Sequence, residues 1–183
     1  MEQESIITNH PVFQSLNEQT IQQVIEAANP KVYKKGDFLV HQGEVWPFLF
    51  LLKEGKIVAE KDSAEGRTLT ATTLFPGDLF WGLAFFLEDS PMPAALRILN
   101  DAKVIIWSRR DLLPILKNNG EFSWELGKLV VQRMLEASEI LESMTFQPNT
   151  VRLARLLLGI SKSGQQNPIE RNLTRIDSQL ILL

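Results

Sequence analysis

Apolar residues along this chain change their spacing twice, and each change marks a new kind of structure. Leu16, Ile21, Val24, Ile25 and Ala28 fall on one helical face, with Asn17 placed to cap it and Asn29-Pro30 to end it. A short amphipathic helix is therefore expected to open the domain. After it the helical period disappears. Glycines at positions 36, 43, 55, 66 and 77 separate short apolar or alternating runs at 38–40, 48–52, 57–59 and 69–74, the pattern of strands joined by tight turns. Lys53-Glu54-Gly55-Lys56 and Ala64-Glu65-Gly66-Arg67 read as hairpin connections, and Pro76-Gly77-Asp78 as a third turn. The runs 94–98 and 103–107 read as closing strands, and 109–116 as a short helix stopped by Asn118-Asn119-Gly120. The predicted body is an antiparallel sandwich or barrel that ends near residue 118.

Helical spacing returns at Glu121. No proline interrupts 121–146 and Gly127 is its only glycine, so one long helix is expected there. Val130, Met134, Ala137, Leu141 and Met144 follow one another at gaps of four, three, four and three residues, the period of a coiled-coil seam. Such a stripe suits a dimer, and it suits a helix packed on its own domain equally well. Gln147-Pro148-Asn149-Thr150 breaks the helix and offers a new N-cap. Leu153, Leu156 and Leu157 then share a face, 161–168 is a polar loop, and a further apolar helix begins at Leu173-Thr174 and runs through Ile176, Leu180 and Leu183. A last helix ending in Leu-Ile-Leu-Leu with nothing after it to cover that surface is expected to belong to an incomplete domain. Three parts result: 1–118, 119–147 and 148–183.

Composition narrows the function more than the fold. The 44% hydrophobic content is enough for a sizeable core, yet no apolar run approaches the ~20 residues of a membrane span, and the start lacks a basic leader. A cytoplasmic protein is expected, with no membrane partner. The absence of cysteine removes disulfides, thiolate metal sites and any iron–sulfur cluster held by this chain. Only His10 and His41 are available as imidazoles, far apart in sequence, which leaves little for a zinc site or a hydrolase triad. Residues 151–183 carry five bases and two acids, a net +3, so 1–150 hold −6 of the formal total of −3. An acidic body with a basic end fits a sensor joined to a nucleic-acid reader.

The residues go further. Lys35-Gly36-Asp37-Phe38-Leu39-Val40-His41-Gln42-Gly43-Glu44, then Phe50-Leu51-Leu52-Lys53-Glu54-Gly55-Lys56-Ile57, then Phe75-Pro76-Gly77-Asp78-Leu79-Phe80, are similar to the first hairpin, the following strand and turn, and the entry to the ligand segment of the cyclic-AMP receptor protein and FNR (Crp/Fnr) family of transcription regulators. Val151-Arg152-Leu153-Ala154-Arg155-Leu156-Leu157-Leu158 resembles the first helix of that family's winged helix-turn-helix domain. Leu173-Thr174-Arg175-Ile176-Asp177-Ser178-Gln179-Leu180 resembles the first helix of the helix-turn-helix itself. The resemblance implies an α+β fold: a cyclic-nucleotide-binding-like antiparallel β jelly roll flanked by helices, a long dimerisation helix, and the start of a winged helix-turn-helix domain. It implies a homodimer on double-stranded DNA, with Arg175 on the DNA side, a recognition helix absent from the chain, and RNA polymerase as a further partner. Residues 1–183 alone are expected to dimerise without reading DNA sequence.

Where the pattern fails is the most informative part. Cyclic-nucleotide binders of this fold place a glutamate after a Phe-Gly pair for the ribose hydroxyl, and an arginine ten positions on for the cyclic phosphate. Aligned without a gap, this chain has Phe80-Trp81-Gly82 and then Met92-Pro93-Ala94-Ala95, so Gly82 stands in the glutamate position and Met92 in the arginine position. A buried phosphate without its cation carries a large desolvation cost. Cyclic nucleotide binding in the usual way is not expected. Phe80, Trp81, Gly82, Leu83, Met92, Pro93 and Ala94, with Ser138 from the long helix, are the candidate effector-pocket residues, apolar enough for a hydrophobic small molecule. The same residues also suit ordinary core filling with no effector, and Ser138 also reads as a polar neighbour of the seam. Arg97, five residues past Met92, is expected on the opposite face.

Relatives that sense through heme or clusters offer no model here. Heme would have to rely on His10, His41 or a methionine, and both histidines suit structural roles, so no cofactor is expected. Two other classes stay in view. A cyclic-nucleotide-domain regulatory module without DNA binding is the alternative function, and a cupin-like enzyme would need several metal-binding histidines that the chain does not supply.

Overall fold

The computed structural model describes residues 2–146 apart from 64, 65 and 67, with side chains from 4 to 139. In chain order the elements are α1 (Glu2–Thr8), α2 (Glu18–Glu26), β1 (Asn29–Tyr33), β2 (Phe38–Val40), β3 (Phe48–Asp62), β4 (Thr68–Leu74), β5 (Leu79–Trp81), α3 (Leu83–Phe86), β6 (Ala95–Ser108), α4 (Arg109–Asn118) and α5 (Gly120–Phe146). All strand pairs are antiparallel, in a six-stranded sheet whose path is β1-β6-β3-β4, with β2 added to β6 and β5 to β3.

Two expectations change at one place. Lys53-Glu54-Gly55-Lys56 is not a hairpin connection, because β3 runs through it without interruption, and the two predicted closing strands are one strand, β6. The pairing between them slips between Leu52 and Glu54, again before Lys56, and again before Ile57. Gly55 takes φ of +93°, and a Cβ there would lie 2.5 Å from the Asp101 carbonyl oxygen and 2.7 Å from Ala102 Cα. A bulge with close backbone approach and a hairpin turn both call for a glycine among polar residues. The sequence signal is the same for both. Asp101 sits at this bulge, accepting from the Lys35 N–H at 2.9 Å and the Lys34 ammonium at 2.9 Å, and Lys34 holds its carboxyl below the usual range.

The bulge divides the sheet into two leaves. The first half of β3 pairs with β5 and with the second half of β6, which also pairs with β1; the second half of β3 pairs with β4 and with the first half of β6, which pairs with β2. Side chains from both leaves meet in one core, among them Val40, Phe50, Leu52, Ile57, Leu96, Ile98 and Val104. Alternation along β6 sends Trp107 the other way, beneath the helices. There it is fully buried beside Phe13, whose ring in turn meets Phe122.

The helices follow their predicted signals, with two additions. Asn17 caps α2 by accepting from the Thr20 N–H at 2.8 Å, and Val24 is its fully buried residue. Asn29-Pro30 does not only end that helix; it begins β1. A helix that the pattern did not show, α1, precedes α2. Asn119 links α4 to α5, accepting from the Phe122 N–H at 2.8 Å and donating to the Thr20 hydroxyl at 3.0 Å. The chain forms two compact units, Met1–Glu125 and Leu126–Leu183, divided within α5. No helix among the described residues is long and apolar enough to cross a membrane.

Candidate functional site

The segment that carries the departures is fastened to β3 at each step. The Asp78 carboxylate accepts from the Phe75 N–H at 2.8 Å, and the Gly77 N–H donates to the Leu52 carbonyl at 2.8 Å, which closes the turn before β5. β5 then pairs with β3, Phe80 opposite Phe50 and Trp81 opposite Leu49. The Gly82 N–H donates to the Phe48 carbonyl at 2.9 Å and the chain enters α3.

Gly82 has no room for a side chain. A Cβ on it would lie 1.9 Å from the Trp46 carbonyl oxygen and 2.9 Å from Cε3 of the Trp46 ring. The Trp46 backbone therefore fills the space that any side chain at this position, a glutamate included, would need. Ten residues on, Met92 is 4% exposed and belongs to the β core. Its N–H donates to the Glu44 carbonyl at 2.8 Å and its carbonyl accepts from the Gly43 N–H at 2.9 Å. Trp46 packs on the same core, its ring 5.4 Å from Phe48 and 5.7 Å from Phe50.

The nearest arginine in sequence is committed elsewhere. Arg97 forms a two-pronged bond to Glu60, at 2.7 and 2.5 Å, and Glu60 raises the guanidinium pKa above its ordinary value. That pair lies on the face of β6 opposite Leu96 and Ile98, which point into the core. His10 accepts from the Val12 N–H at 3.2 Å, and exposed His41 stacks on Phe38 at 4.4 Å. Among the described residues no group of three or more His, Asp or Glu is placed to hold a metal ion.

The remaining pocket candidates fall in different settings. Phe80 is half-buried against the core, 5.9 Å from Phe50, and Trp81 is half-buried with its ring edge-on to Phe86 at 5.9 Å. Ala94 is buried, whereas Leu83 and Pro93 are exposed. Ser138 is exposed on α5, in the second compact unit. On that helix Val130, Met134 and Ala137 of the predicted seam are also exposed, and Val131 and Leu135 widen the apolar stripe. The side chains of Leu141 and Met144, and the whole of Arg175, lie outside the described residues.

Three residues escaped the sequence reading. Trp46 matters through its backbone, for which no side-chain pattern gives a sign. Val131 and Leu135 did have one, since their spacing of four repeats that of Val130 and Met134 one residue later.

Residues 30–119 match the family model described as cyclic nucleotide-binding domain. The cyclic AMP receptor protein of Thermus thermophilus is 24% identical over 154 residues, 84% of this chain and 71% of the relative. The cAMP-activated global regulator of Salmonella typhimurium is 25% identical over 130 residues, 71% of this chain and 62% of the relative. Among solved structures, the c-di-GMP responsive global regulator of Xanthomonas campestris superposes with a TM-score of 0.67 at 16% identity, over 83% of this chain and 77% of that one. By sequence residues 30–119 carry the cyclic nucleotide-binding domain, and the described residues have the fold of the solved structures that the chain resembles. Its curated relatives are transcription regulators of the Crp/Fnr family, which are not enzymes.

Proposed function

We propose that this chain is the sensor and dimerisation part of a homodimeric, DNA-binding transcription regulator whose β domain does not take cyclic nucleotides in the usual way and responds to an apolar small molecule or to none. The observation that carries the reading is the pair Gly82 and Met92: the first is closed off by Trp46, the second is an uncharged residue built into the core. A cyclic phosphate delivered there would meet the uncharged Met92 in place of a cation, at a desolvation cost that binding does not offset. The regulator class follows from the homologues, and double-stranded DNA, RNA polymerase and a cytoplasmic address come with it. An effector would act by favouring one of two arrangements, and could shift them only by its difference in affinity for each.

Calorimetric titration with cyclic AMP and cyclic GMP tests this directly. No heat of binding is expected at millimolar ligand. Micromolar binding would return the protein to the cyclic-nucleotide sensors.

The dimer rests on the stripe of Val130, Val131, Met134 and Leu135, which are 37–62% exposed. An apolar stripe in heptad register on a long helix is what a two-stranded coiled coil covers. Met134→Glu is expected to shift sedimentation from dimer to monomer at micromolar concentration, with the circular dichroism of the β domain unchanged. A wild-type chain that sediments as a monomer would refute the dimer.

A further inference from the structure

α3 spans four residues, too few for a helix to hold its shape unaided. Its burial is divided. Ala84 and Phe85 are buried, but Leu83, Phe86 and the following Leu87 are 38%, 40% and 63% exposed. Beside the buried Phe85, polar fastenings at its two ends set where this segment lies. At its start the Gly82 N–H holds the Phe48 carbonyl. At its end the fastening is one side chain, that of Arg109, whose Nε donates to the Phe85 carbonyl at 3.1 Å and whose Nη1 meets the Glu88 carboxylate at 2.6 Å. Among the described residues, the other hydrogen bonds of 83–90 run within 82–90.

The chemistry of that contact suits a latch. The Phe85 carbonyl lies at a helix end, where carbonyls have no partner inside the helix and a cation is favoured. Guanidinium offers a planar fork that reaches the carbonyl and the carboxylate together. Beyond Glu88 the chain turns through Asp89 at φ of +57°, a left-handed conformation unfavourable for a residue with a side chain. Arg109 is itself anchored, as the first residue of α4, with its N–H donating to the Pro47 carbonyl at 2.8 Å. Pro47 adjoins Trp46, against which Gly82 rests.

We infer that Arg109 is the positioning residue that latches α3 over the apolar interior and ties its position to the start of α4. The inference rests on the reading of 80–94 as the sensor segment and adds how that segment is held. Releasing the latch frees 83–90 and the buried Ala84 and Phe85 that it carries, and with them a route by which an apolar ligand would enter.

Hydrogen–deuterium exchange on the full chain, without effector or DNA, tests it. Arg109→Ala is expected to raise exchange of the amides in 83–90 at least tenfold, while α2 and the centre of β6 keep their wild-type rates. Glu88→Gln, which spares the Phe85 bond, should give a smaller rise in the same amides. Arg109→Lys keeps a cation for Glu88 without the fork and should fall between them. Unchanged exchange at 83–90 in Arg109→Ala would overturn the latch, and so would a rise spread evenly over the sheet, which reports general loosening. Because no ligand is present, the latch stands or falls separately from the effector reading: tight binding of cyclic AMP in the titration would remove the latter and leave this result intact.

Discussion

Gly82→Glu, the substitution that restores the nucleotide binders' glutamate, is expected to cripple folding and to confer no affinity for cyclic AMP. The reason lies in what occupies the space. A Cβ at Gly82 falls 1.9 Å from the Trp46 carbonyl oxygen, and that oxygen belongs to the backbone, so it cannot rotate away as the end of a side chain would. The Gly82 N–H is itself bound to the Phe48 carbonyl, two residues from Trp46, so both sides of the contact are tethered to the same stretch of chain. Backbone shifts forced by overpacking cost about 1–3 kcal/mol and occasionally more, and a contact this short belongs at the upper end. Gly82→Ala alone should therefore lower stability by about 3 kcal/mol, read as a shift of the urea midpoint at constant slope. Its backbone angles are ordinary extended ones, so strain in φ contributes nothing and the effect isolates the contact. A Gly82→Ala protein as stable as the wild type would show that Trp46 yields readily, and the case against nucleotide binding would then rest on Met92 alone.

Much of this fold was legible because its signals are periodic. Asn17 and the apolar face of α2, the turn at Pro76-Gly77-Asp78, and the long uninterrupted run of α5 all appear in the structure as the pattern indicates. What escaped was local and non-periodic. Gly55 announced a break in the chain but not which kind, since a hairpin and a bulge both need a left-handed glycine. The site was legible by a different route. Resemblance located Gly82 and Met92 as departures, and geometry then showed that one of them is a steric block as well as a missing carboxylate. Arg109 could not have been found from sequence, because its acceptor at Phe85 is a backbone carbonyl 24 residues away, and a backbone carbonyl leaves no mark on composition or spacing.

Trp107→Ala is expected to produce the second large effect, a loss of about 3–5 kcal/mol, the usual range for deleting a buried aromatic side chain from a core. Trp107 is fully buried and joins the two layers on which the sensor reading depends: it stands on β6, packs against Phe13, and donates from Nε1 to the Val24 carbonyl at 2.8 Å. That carbonyl lies in the last turn of α2. The Ala27 and Ala28 N–H groups bond to Gln23 and Ile25 instead, so the indole is the partner that satisfies it. The substitution that separates packing from hydrogen bonding is Trp107→Phe, which keeps most of the ring and leaves the Val24 carbonyl without its donor. An unsatisfied buried acceptor costs about 1–3 kcal/mol. The loss in Trp107→Phe should appear as faster amide exchange at the end of α2, with β3 and β6 still protected, whereas Trp107→Ala should loosen sheet and helices together. If Trp107→Phe left α2 as protected as in the wild type, the indole bond would not be what holds that helix to the sheet. The helix layer would then be held to the sheet through the rings of Phe13 and Phe122 rather than through α2.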